Sequence, residues 1–72
     1  MTKKEVLQHC IDIIYESLLM DQINLRYIEE RNKELRDDGY EFQAAKSNYI
    51  RSIDTKTRQI VIAKKMLEEE KV

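Results

Sequence analysis

Four side chains near the start of the chain are of types that bind metals or move protons: Glu5, His9, Asp12 and Glu16, at i, i+4, i+7 and i+11. On a helix that spacing holds them close to one face. Carboxylates and an imidazole gathered there can ligate a divalent cation, particularly where a symmetric dimer brings two sets together. The pattern departs from the Glu-x-x-His pair of di-iron bundles, because Glu5 precedes His9 by four residues. A solvated polar face is the expectation, with no metal site. Cys10 adjoins His9, but neighbouring helical residues diverge by about 100°, which is poor geometry for a thiolate–imidazole dyad. The cysteine reads instead as a small core residue. With one glycine there is no Gly-rich phosphate loop, and no catalytic serine, paired-carboxylate or zinc spacing stands out. Small helical dimers can still build active sites from Arg and Lys in a core, as chorismate mutases do, but their ligand pattern cannot be placed here. The expectation is a protein that is not an enzyme and uses no cofactor.

The other chemistry on offer is phosphate binding. Lys46, Arg51, Lys56, Arg58, Lys64 and Lys65 crowd the second half of the chain, with Tyr49 among them. A helix carrying these residues could contact a nucleic acid, Arg51, Arg58 and Lys64 being the contacts to expect. A dimer of two such hairpins is similar in architecture, though in no motif, to small RNA-binding plasmid regulators. Two features weigh against this reading. The formal net charge is −1, and Glu29, Glu30, Glu34, Asp37 and Asp38 would repel a nucleic acid at one end. RNA binding through the basic face therefore stands as the alternative. Residues 5–41 sum to about −6 and residues 42–67 to about +5, and the simpler use of that segregation is attraction between two neighbouring helices.

The elements that position these residues follow from capping and spacing. Thr2 and Glu5 form a T-x-x-E capping box, which starts a helix at about Lys3. From there Leu7, Ile11, Ile14, Leu18, Leu25, Ile28 and Leu35 follow a 4-3 repeat broken only by Asp21 and Asn32. Asp37-Asp38-Gly39 supplies the stop, with Gly39 expected in the left-handed conformation and Asp38 with Glu41 able to cap a second helix. Beyond it Phe42, Tyr49, Ile53, Ile60, Ala63 and Leu67 keep the same rhythm, with Lys46 and Lys56 as polar exceptions. The spacing predicts an all-α antiparallel hairpin in one domain: a helix over about 3–37, a turn at about 38–40 and a helix over about 41–69. Residues 52–57 are poor helix formers, so a break giving three helices is the structural alternative.

Folding the stripes together makes facing residue numbers sum to about 77 or 78. Leu35 then meets Phe42, Ile28 meets Tyr49, Leu18 meets Ile60, Ile14 meets Ala63 and Ile11 meets Leu67. Asp21 falls opposite Lys56, a polar layer that would fix register, and Asn32 lies near Lys46.

At 72 residues a single core supplies little stability. A lone cysteine gives no internal disulfide, so oligomerisation is the remaining aid. Apolar residues in 6–28 occupy nearly every direction around the first helix, more than one neighbour can cover. Val6, Ile13 and Met20 lie on one flank, Tyr15, Leu19 and Ile23 on the other, and the second helix adds Val61, Ile62 and Met66. Burying four such side chains would contribute about 6–12 kcal/mol gross. The expectation is a homodimer, a four-helix bundle with Ile13, Leu19, Met20 and Ile23 at its interface, that binds or inhibits another protein. Arg36, Tyr40 and Ile62 are the candidate partner contacts, an aromatic–Arg tip being a plausible hot spot. Gln8, His9, Asp12 and Glu16 interrupt any leader-like apolar run, and no stretch approaches membrane-spanning length. A cytoplasmic accessory protein, bacterial or phage by its Lys-, Ile-, Asn- and Tyr-rich composition, with no membrane partner, completes the expectation.

Overall fold

The structure is a computed structural model describing residues 1–35 and 39–70, apart from the side chains of Leu35 and Tyr40. Two helices, α1 (Lys3–Leu35) and α2 (Tyr40–Glu69), pack side by side as a hairpin measuring 55 × 15 × 12 Å. Its radius of gyration is 16.4 Å, against about 11 Å for a compact globule of this length. The molecule is a rod with one helix–helix seam.

The Thr2 hydroxyl accepts a hydrogen bond from the Glu5 backbone N–H at 3.2 Å, and the Thr2 carbonyl accepts from Val6 N–H at 3.0 Å. These satisfy donors that the first turn leaves open. Gly39 is the N-cap of α2, with φ −63° and ψ 171° and its carbonyl accepting from Gln43 N–H at 3.2 Å. That corrects the left-handed conformation expected of it. Its backbone is extended because it opens a helix, where a cap residue takes β-region angles, and nothing in those angles requires glycine. Asp37 and Asp38, the remainder of the stop signal, lie outside the described residues, as does the Leu35–Phe42 pairing.

α2 is continuous through the weak helix formers of 52–57. The Thr57 hydroxyl donates to the Ile53 carbonyl at 2.8 Å, one turn back, so its hydrogen-bonding capacity is spent within the helix and does not compete with it. The 4-3 stripes face each other. Ile11, Leu18, Ile60 and Ala63 bury deepest, at 6–9% exposure, while Leu7, Ile14, Leu25, Ile28, Phe42, Tyr49, Ile53 and Leu67 are half-buried. Cys10 is exposed, which corrects the core role expected of it. It precedes Ile11 by one residue and so points about 100° away from the core row.

Among the described residues Asp21 is the buried charge of the seam, at 9% exposure. One of its carboxylate oxygens accepts from the Lys56 ammonium and from the Ser52 hydroxyl, both at 2.6 Å. The Lys56 hydrogen bond, and then that from Ser52, hold the Asp21 carboxyl below its ordinary pKa of 3.8, outweighing the opposite effect of burial. A buried carboxylate with its cation and a hydroxyl in place tolerates one register. Slippage by a turn would strand it among apolar neighbours. At the open end Lys3 and Glu70 close the hairpin at 3.0 Å.

A double-mutant cycle of Asp21→Ala and Lys56→Ala should give a coupling of about 0.5–3 kcal/mol in chemical denaturation, whereas additive losses would mean that the pair contributes nothing specific. Because folding depresses the Asp21 pKa, its contribution is present above the unfolded value and is lost as pH falls through the folded one. Stability should therefore decline below about pH 4 more steeply in the native chain than in Asp21→Asn. Parallel acid-unfolding curves would contradict the assignment.

Candidate interaction surface

The seam uses one stripe of each helix and leaves the rest of the apolar surface open. Among the described residues no side chain is fully buried. Val6, Ile13, Tyr15, Leu19, Met20, Ile23, Tyr27, Ile50, Val61, Ile62 and Met66 are 39–59% exposed. The reason is angular. A single neighbouring helix covers roughly a 100° sector, and these residues lie outside that sector on α1 and α2.

Ile13, Leu19, Met20 and Ile23 fall together on an arc of about 120° on the side of α1 away from α2, all of them exposed. Ile62 is 58% exposed on the outer side of α2. Arg36 and the Tyr40 side chain lie outside the described residues and side chains. Tyr27 and Ile50 join the open apolar set, and neither was singled out from the sequence. Tyr27 follows Met20 by seven residues, the spacing that links Val6, Ile13 and Met20, so it was there to be found. Its hydroxyl accepts from Arg31 at 3.2 Å, leaving the ring face open.

The polar candidates are dispersed. Gln8 donates to Asp12 at 3.1 Å along the outer face of α1, and among the described residues no three or more His, Cys, Asp and Glu side chains gather as they would to hold a metal ion. Arg51 and Lys64 are exposed, whereas Arg58 pairs with Asp54 of its own helix at 3.0 Å. Arg51 and Arg58 share the outer row of α2, while Lys64 lies well round the helix from them, so the three do not form one compact phosphate site. A depression of about 330 Å³ on α1 is lined by Gln22, Leu25, Arg26, Glu29, Glu30 and Lys33, all from a single helix. It is open to solvent, and its charges neutralise one another locally, as Lys33 and Glu30 do at 3.6 Å.

Ser52 is the member of the buried polar layer that the sequence hid. It sits one turn before Lys56 and completes the Asp21 layer, yet as a weak helix former in a weak stretch it read only as a possible break. No helix among the described residues is long and apolar enough to cross a membrane. Comparison of the chain with protein-family models, with curated proteins and with solved structures finds no match in any of the three.

Proposed function

We propose that this chain is a non-enzymatic helical interaction protein, which associates with itself into a four-helix bundle and in that form binds or inhibits another protein. The observation that carries this reading is the incomplete burial. A hairpin that, among its described residues, has no fully buried side chain and eleven half-exposed large apolar or aromatic ones has much hydrophobic stabilisation still to gain. Because those side chains are already half covered, completing the burial of four adds about 3–6 kcal/mol gross. Against the marginal stability of so small a domain, that is a deciding amount. Arg36, Tyr40 and Ile62 remain the proposed contacts for the second protein. Binding of RNA through α2 is the weaker reading, since Lys64 lies well round the helix from Arg51 and Arg58 and the three form no compact phosphate site.

Sedimentation at micromolar concentration should give twice the chain mass, and Ile13→Ser with Met20→Ser should shift it toward the monomer. Binding to the native protein partner should weaken in Tyr40→Ala and Ile62→Ala more than in charge reversals of Arg51, Arg58 and Lys64, and should survive nuclease. A stable monomer would remove the self-association. Loss of binding on charge reversal alone, with steep salt dependence, would favour the nucleic acid.

A further inference from the structure

Between Lys3 and Arg31 on α1, and between Glu41 and Glu69 on α2, one side of the hairpin carries no charge. On α1, Val6, Cys10, Ile13, Ser17, Met20, Asn24 and Tyr27 follow a 4-3 repeat of their own. On α2, Ala45, Asn48, Ser52, Thr55, Gln59, Ile62 and Met66 follow a 3-4 repeat. At the chain's 38% charged residues, about five of these fourteen positions would be charged by chance. None is.

Both stripes lie about 100° round from the core row: Ser17 precedes Leu18 by one residue, as Gln59 precedes Ile60. Because the helices face each other and run in opposite directions, the same step round each leads to the same side of the hairpin. The hydrogen bond from Ser52 to Asp21, which is flanked on its own helix by Ser17 and Asn24, ties the two stripes together there. They also span the same height. Cross-helix contacts join Asp21 to Ser52 and Lys56, and Lys3 to Glu70, so level residues sum to 73–77. By that register the two stripes begin and end almost level. Val6, Ile13, Met20 and Tyr27 stand 42–59% exposed, a row of large side chains beside the smaller Cys10, Ser17 and Asn24. This is the form of a second coiled-coil seam, set at the right angle that a four-helix bundle requires.

We infer that this uncharged face is covered by the same face of a second copy, with α1 of each hairpin lying along α2 of the other about a two-fold axis parallel to the helices. The inference rests on the self-association proposed above and specifies its geometry. Charge selects the arrangement. Within one hairpin the opposite charges of α1 and α2 are hardly used: among the described residues two ion pairs cross between the helices, and that of Lys3 with Glu70 runs against the segregation. Laying α1 along the partner's α2 sets the acidic helix beside a basic one. It brings Glu16, at the edge of the face, level with the partner's Arg58. The other two-fold packing, α1 on α1 and α2 on α2, would set Glu16 beside the partner's Glu16, Arg58 beside the partner's Arg58, and Arg51 beside the partner's Lys65. Like charges at those edges oppose it. In this arrangement Ile62 serves the contact between copies and not a second protein, which leaves Arg36 and Tyr40 for that role, and Ile13, level with the partner's Ile62, packs against it.

Engineered disulfides distinguish the two packings. Chains carrying Cys10→Ser with Ser17→Cys, and Cys10→Ser with Gln59→Cys, are oxidised under mild conditions separately and as a mixture, with helicity and sedimentation checked for each. The inferred packing sets Ser17 level with the partner's Gln59 at the centre of the contact, so the mixture should yield a covalent dimer containing one chain of each kind. Each variant alone should yield little, since equivalent residues lie diagonally across the bundle, beyond the about 7 Å that a disulfide spans between Cα atoms. Homodimeric products from Ser17→Cys alone and Gln59→Cys alone would overturn the arrangement in favour of like helices together. Dimer mass with no cross-link of either kind would place the contact on another face and overturn the inference while leaving self-association intact. Monomer mass would remove both. Independently of cysteine, Glu16→Arg and Arg58→Glu should each raise the dimer dissociation constant about tenfold, and the double reversal should restore it substantially. Additive losses would overturn the pairing.

Discussion

Two helices lying side by side can each hide only one stripe, and that geometric limit governs everything else in this molecule. The sequence places apolar residues around more of α1 than one neighbour can reach. Folding into a hairpin therefore satisfies the row of Ile11 and Leu18 and leaves the rows of Ile13, Met20 and Leu19 half in water. With a lone cysteine and a single helix–helix seam, the hairpin has little internal stability to set against the entropy of ordering two long helices. In the proposed account association completes such a surface, and the same surface is what another protein would find.

The polar layer at the middle of the seam works on specificity more than on strength. An apolar 4-3 seam is nearly indifferent to sliding by one repeat, because Leu, Ile and Val replace one another at small cost. Asp21 removes that indifference. Its carboxylate is buried between α1 and α2 and is tolerable only where Lys56 and Ser52 reach it together. The levels of all residues on the outer faces follow from this anchoring. Whether Glu16 and Arg58 stand at one height, and whether the uncharged stripes of α1 and α2 end together, are consequences of where Asp21 is held.

What could be read from the chain was its periodicity. The 4-3 rows named the residues that turn away from solvent, and among the polar exceptions in those rows the matching levels of opposite charge named Asp21 and Lys56, because position on a helix is set by counting. Features that depend on local backbone choice or on residue type were harder. Gly39 suggested a left-handed stop, yet the same residue serves as the extended N-cap of α2, a role glycine also fills. Cys10 was assigned to the core on the habits of free cysteines, although its place one residue before Ile11 already put it on the open flank. Ser52 was judged on helix propensity, which says nothing of what a hydroxyl will meet across the seam. The uncharged side of the hairpin was present in the sequence throughout. It became visible only when the register showed which flank of α2 lies beside which flank of α1.

The dependence of thermal stability on chain concentration tests most directly whether the hairpin is completed by its own copies. If burial of the open faces between chains supplies the missing stabilisation, mass action must carry it. The midpoint of the circular-dichroism melt should rise by about 5–10 °C as concentration is raised a hundredfold across the micromolar range, in step with the mass found by sedimentation. A cooperative melt with the same midpoint at every concentration would show that the two helices suffice alone, and would contradict the central claim.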